Sequence, residues 1–185
     1  SRVVAHDLPA TCTPDLALIL GALAAEGMVR KDVVAFNDTR GDFADAFQQA
    51  WSRTFPTCRL HVFDREPSSY GKKRFLPMQC VSAHVRGFLD SLGLRGEPAG
   101  RAVPDAVLAS PRPVVAAFLA ALFEGDGAVE RSGRSLPRVG LTSRSGTLLR
   151  QVQTLLLRFG VVSALSHERG RGTARLLVTG RPNLV

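Results

Sequence analysis

The sequence predicts an α+β fold made from one unit used twice. Each copy runs α-β-β-α-β-β-(α), and a pseudo-two-fold axis relates the two. Three observations lead there. Ile19-Leu20-Gly21-Ala22-Leu23-Ala24-Ala25-Glu26-Gly27 returns one hundred residues later as Leu119-Ala120-Ala121-Leu122-Phe123-Glu124-Gly125-Asp126-Gly127. Val34, Phe36, Gly41, Phe43 and Phe47 then fall on Val139, Leu141, Gly146, Leu148 and Val152 at a constant offset of 105, so the second copy carries five extra residues in its first hairpin, around Gly133. Finally, 185 residues suffice for one sizeable core, whereas half that length folds marginally by itself. The copies are expected to share a core.

The elements follow in order. Pro14 and Asp15 open a helix that runs to Glu26 and stops at Gly27, since proline suits the first turn and glycine the position after the last. Residues 28–38 read as two short strands, with Val34 and Phe36 on one face and Val33, Ala35 and Asn37 on the other. Phe43, Ala46, Phe47, Ala50 and Trp51 set a helical stripe over 42–53. A strand pair is expected around Cys58–Phe63 and Arg74–Cys80, followed by a helix capped by Ser82 that runs to about Leu92. Residues 94–112 hold three prolines and two glycines and read as a linker. This divides the chain into a first half (1–93), a linker (94–112) and a second half (113–185). In the second half a helix over 113–126 leads to strands at Val129 and Val139/Leu141. A helix capped by Ser145 and closed by Gly160 comes next, then a last strand pair around Val162–Ser166 and Ala174–Thr179. The chain ends where the first copy still makes a helix, so either that helix is missing or the chain is a piece of something longer.

Composition narrows the function. Residues 1–100 hold 12 Lys/Arg against 11 Asp/Glu, and residues 101–185 hold 12 against 5. A basic excess concentrated on one half suits a polyanionic partner, because neutralising phosphates releases condensed counterions. Cys12, Cys58 and Cys80 are odd in number, widely spaced and lack a CxxC pair, so neither a disulfide framework nor a zinc site is expected. With no long apolar run and no signal peptide, the expectation is a soluble, cytoplasmic protein, associated with the nucleoid when bound to DNA. The four histidines form no metal-binding pair, and no Ser/His/Asp or Cys/His set suggests covalent catalysis.

The repeated helix is unusual for a core element in two ways. It carries closely spaced small residues (Ala17, Gly21, Ala24 and Ala25 in one copy; Ala117, Ala120, Ala121 and Gly125 in the other), which let two backbones approach more closely than the usual separation of about 8–10 Å. Each copy also ends in an acid, at the helix terminus where the macrodipole disfavours negative charge by roughly 0.3–1 kcal/mol. Two such helices side by side would bring Glu26 and Asp126 together, and a divalent cation would relieve the conflict.

These two motifs resemble those of single-chain LAGLIDADG homing endonucleases, particularly the intein-associated group. Val103-Pro104-Asp105 and the run from Leu141-Thr142-Ser143-Arg144-Ser145 to Leu155-Leu156-Leu157-Arg158-Phe159-Gly160-Val161 are also typical of that group. The resemblance covers roughly residues 14–185. It implies that the motif helices form the central interface and that two antiparallel sheets make a DNA-binding saddle. It implies Mg²⁺ (with Mn²⁺ or Ca²⁺ able to substitute in binding) at the acids closing the motifs, Glu26 and Asp126, together with the preceding residues Ala25 and Gly125. The expected activity is cleavage of both strands of double-stranded DNA at a long asymmetric target, by a monomer that is part of a larger intein or host precursor, with no membrane involved. Active relatives usually place a lysine near the metal. Lys73 is the nearest match in the first half, with Gln79 as an alternative, and Arg175 is the match in the second.

The strand faces and loops supply the expected DNA contacts. They are Arg30, Lys31, Asn37, Arg65, Lys72 and Lys73 in the first half, and Arg131, Arg134, Arg138, Thr142, Arg169, Arg171 and Arg175 in the second. A β-ribbon offering Arg, Asn, Gln and Thr can read base edges while flanking Arg holds phosphates. The alternative function is a non-cleaving DNA- or RNA-binding descendant of the same fold, a regulator or a maturase. A purely structural interaction domain is disfavoured by the charge on the second half.

Overall fold

A computed structural model describes residues 4–30, 33–39, 41–63, 75–94, 100–130, 137–168 and 172–178. The repeated helices are its axis. Helix α1 (Pro14–Glu26) begins at Thr13, whose hydroxyl accepts from the Leu16 amide at 3.2 Å. Its counterpart α5 (Arg112–Asp126) begins behind Pro111, with proline again in the first turn. Along α1 every residue from Ile19 to Ala25 is buried, because the helix is covered both by its own half and by α5. The two helices share more contacts than any other pair of described elements.

Each half adds a four-stranded antiparallel sheet. In the first, β1 (Met28–Arg30), β2 (Val33–Thr39), β3 (His61–Val62) and β4 (Phe75–Val81) lie in the order β1-β2-β4-β3. In the second, β5 (Gly127–Glu130), β6 (Arg138–Ser143), β7 (Ser163–Glu168) and β8 (Thr173–Val178) repeat it as β5-β6-β8-β7. The register explains the burial. Val34 pairs with Cys80 and Phe36 with Met78, and all four side chains are buried, so the predicted inward face of β2 is the observed one. In the second sheet Leu141 pairs with Leu176, and both are buried.

The remaining helices cover those faces. Helix α2 (Asp42–Thr54) lays Phe47 on Phe36 with ring centroids 4.5 Å apart, and Phe43 meets Phe36 edge-on at 5.9 Å. Helix α6 (Gly146–Leu157) does the same with Leu148, Leu149, Val152 and Leu155, so one half is packed with aromatic rings and the other with aliphatic side chains. Gly160, at φ +76°, terminates the turn after α6, as expected of a residue without a Cβ penalty there.

Several expectations need correction. Strand β3 spans only His61–Val62, because Trp51 Nε1 donates to the Cys58 carbonyl at 3.0 Å and holds residues 55–58 in a turn. Helix α3 (Ala83–Leu89) is capped by Ser82 as predicted, but beyond Leu89 the chain widens into a π-type turn over Asp90–Leu94, ended by Gly93 at φ +91°. The linker is not wholly irregular, for Asp105–Leu108 form a short helix α4 behind Pro104. Proline there opens a helix instead of breaking one. The cysteines are not all apart either: Cys58 Sγ and Cys80 Sγ lie 3.0 Å from each other. The positions after Val178, including any final helix, fall outside the described residues. No described helix is long and apolar enough to cross a membrane.

Candidate active site at the paired helix tips

Small residues set how closely the two tips approach. A Cβ on Gly21 would collide with the Phe118 carbonyl oxygen and sit 2.9 Å from Ala121 Cβ. At the tips, a Cβ on Gly125 would lie 2.6 Å from Ala25 Cβ and 3.6 Å from Glu26 Cγ. The backbones therefore touch where the acids emerge, and Gly27 and Gly127 turn each chain directly into its first strand. Gly21 costs a helix about 1 kcal/mol relative to alanine. The close contact accounts for its presence.

The carboxylates feel one another. Asp126 is raised above its ordinary value, first by burial and then by the negative charge of Glu26, while the Arg101 guanidinium draws it partly back. Glu26 is the more exposed of the two and lines a cleft of about 290 Å³ with Asn37, Asp38 and Glu124.

Arg101 is the residue that sequence reasoning missed. It lies in the linker, yet its guanidinium reaches the C-terminal end of α1. There it donates to the carbonyls of Ala24, of Ala25 at 2.9 Å and of Gly27 at 3.3 Å. Helix C-termini leave carbonyls without intrahelical partners, and a cation there satisfies them and opposes the macrodipole. The backbone of Arg101 is fixed from the other half, since its carbonyl accepts from the buried Ser145 hydroxyl at 2.5 Å. The one available signal was an arginine just ahead of Val103-Pro104-Asp105. Its composition alone placed it in a loop.

The other expected residues divide into three groups. Asn37, Thr142, Arg138 and Arg175 lie on the sheet faces turned away from the helices, and all except Arg175 are exposed. In the second half Asp126 immediately precedes Gly127, which pairs with Leu141; the next residue, Thr142, pairs with Arg175. Arg175 thus flanks the α5 tip. The equivalent row in the first half runs from Glu26 past Asn37 to its partner Pro77, which has no donor to offer. Gln79 sits one row farther from the tip, opposite Ala35 and His61. Arg30 ends β1. Lys31, Arg65, Lys72, Lys73, Arg131, Arg134, Arg169 and Arg171 lie outside the described residues.

Among the described residues no group of three or more His, Cys, Asp or Glu converges as a closed metal cage. Two carboxylates beside an open cleft still suit Mg²⁺, which keeps several waters and is commonly held by one or two carboxylates plus substrate phosphates. The raised Asp126 signals a mutual repulsion that a cation would remove. The Ala25 carbonyl fits the expected ligand set less well, because Arg101 already donates to it.

Comparisons with known proteins agree with this architecture. Residues 113–185 match the LAGLIDADG-like domain. The structure of I-DmoI in complex with DNA and Mn superposes with a TM-score of 0.64 at 13% identity, covering 92% of each chain. Full-length DUF199/WhiA from Thermatoga maritima gives 0.61 at 12% identity over 96% of this chain and 55% of that one. The fold is therefore the duplicated α+β LAGLIDADG fold of the homing endonuclease I-DmoI. In sequence, 166 residues are 32% identical to the A subunit of DNA gyrase from Mycolicibacterium flavescens, covering 89% of this chain and 29% of that protein. A replicative DNA helicase DnaB of Nostoc sp. is 32% identical over 107 residues, covering 54% of this chain and 12% of that protein. The chain spans about 29% of the length of the first of these relatives.

Proposed function

We propose that the chain is a single-chain LAGLIDADG homing endonuclease of the intein-associated group, which hydrolyses both strands of a long asymmetric DNA site with Mg²⁺. The observation that carries this reading is the pair of acids, Glu26 and Asp126, at helix tips held in backbone contact between two antiparallel sheets. Glu26 and Asp126 would hold the metal. When bound, it supplies an activated water and charge stabilisation at the phosphate, which two-metal hydrolysis requires without a covalent intermediate. Asn37, Arg138, Thr142 and Arg175 face the duplex from the sheets, and Arg101 keeps the α1 tip fixed while offering positive charge beside the acids. The division into halves 1–93 and 113–185 joined by 94–112 follows from the same reading. Membership of an intein is supported by the hosts: partial matches fall inside the gyrase protein and a replicative helicase, which have different activities. A short segment common to such different proteins behaves as an insert.

The test is to select bound fragments from a random duplex library and assay them for Mg²⁺-dependent cutting. Glu26→Ala and Asp126→Ala should each abolish cleavage yet retain binding. Undiminished cutting by either variant would defeat the assignment.

A second reading, a non-cleaving DNA- or RNA-binding descendant, is favoured by Pro77 standing where the second half has Arg175 and by the engagement of the Ala25 carbonyl. Protein that shifts DNA but never nicks it, even with Mn²⁺, would support that reading.

A further inference from the structure

Cys58 and Cys80 come from different elements, the turn after α2 and the strand β4, and both are buried, at 5% and 0% exposure. Their sulfurs are 3.0 Å apart, about 1 Å beyond a disulfide bond. Both backbones are fixed. The Cys58 amide donates to the Phe55 carbonyl at 2.9 Å and its carbonyl accepts from Trp51, while Cys80 pairs with Val34 across the sheet. Nothing in the DNA-binding reading uses either thiol.

A route to them exists. A cleft of about 400 Å³, lined by Trp51, Pro56, Cys58, Arg59 and Leu60 among others, opens on the Cys58 side of the pair. Cys80 lies behind it, its thiol pushed up from its ordinary value chiefly by burial and further by Cys58. The third cysteine, Cys12, stands elsewhere in the fold, bonded to Ser110.

We propose that Cys58 and Cys80 are a modification site that closes reversibly to a disulfide under a small disulfide oxidant such as glutathione disulfide. Cys58 loses its proton, and its sulfur attacks one sulfur of glutathione disulfide and expels one glutathione thiolate. Cys80 then loses its proton, attacks the Cys58 sulfur of the mixed disulfide and expels the second. Two thiols are oxidised, one disulfide is reduced to two glutathiones, and both protons end on the products. The crosslink ties together the ends of the segment that carries Arg65, Lys72 and Lys73.

The experiment incubates the native full chain with glutathione disulfide, blocks remaining thiols, and maps non-reduced tryptic peptides. The expected product joins peptides 54–59 and 75–86, raises Tm by several degrees and reverts with excess reduced glutathione. Cys12→Ser should behave identically, and Cys80→Ser should stop at a glutathione adduct on Cys58. Free thiols at both positions, adducts without a crosslink in the native chain, or a bridge to Cys12 would each overturn the proposal.

Discussion

The guanidinium of Arg101 donates to the Ala25 carbonyl across 2.9 Å, so a residue between the halves closes the end of the first motif helix. The contact is charge-assisted and partly buried, the class of hydrogen bond that contributes most to stability.

Arg101→Ala should therefore lower unfolding free energy by about 1.5–3 kcal/mol, the range for hydrogen bonds to a charged group. It should also raise the Asp126 pKa further, because the cation that now draws it down is gone. Denaturant midpoints measure the first effect, and an NMR titration of the Asp126 carboxyl measures the second. An unmoved titration would show that Arg101 does not act on the acid.

Asp126 makes stability depend on pH in a definite direction. Its folded pKa lies above the ordinary 3.8, so between the two values the native state holds more protons than the unfolded one. Stability without metal is then highest below 3.8 with respect to this group and falls as pH rises through the folded value. Asp126→Asn should abolish that slope. At pH 7 the metal-free variant should melt above the native protein, and the gain should disappear in acid.

Gly21→Ala tests the helix contact. Alanine favours an isolated helix by about 1 kcal/mol, but its methyl would strike the Phe118 backbone, which cannot rotate away. A net loss of about 1–3 kcal/mol is expected from overpacking. A stabilised variant would mean that the helices separate more easily than the packing indicates.

Arg138 is exposed on the second sheet, on the face turned from the helices. If it meets a phosphate, Arg138→Ala should weaken binding about equally for all sequences and reduce the salt slope by about 1. If it reads a base, the loss should be confined to one position of the site. Fluorescence anisotropy across a salt series separates the two.

Legibility followed the reach of each interaction. The motif helices and inner strand faces were visible because their signal is a local period written twice, in Val34 and Phe36 and again in Val139 and Leu141. Strand β3 was overestimated because the turn at Cys58 is imposed by Trp51, seven residues earlier, through a bond that periodicity does not register. Arg101 and the Cys58–Cys80 contact escaped for the same reason. Each joins distant segments, and composition sees only a loop arginine and scattered thiols. Helix α4 was missed because Pro104 was read as a breaker when it sits at a helix start, where proline costs little.

The Ser145 hydroxyl holds the Arg101 carbonyl, and Gln151 of α6 accepts from the Val103 amide at 2.8 Å, while the Arg101 side chain grips α1. The connector is thus a strut, stitched to both lobes instead of hanging between them. Severing the backbone upstream, between residues 95 and 99, would leave those stitches in place. Two fragments divided there should reassociate with the same mutual orientation.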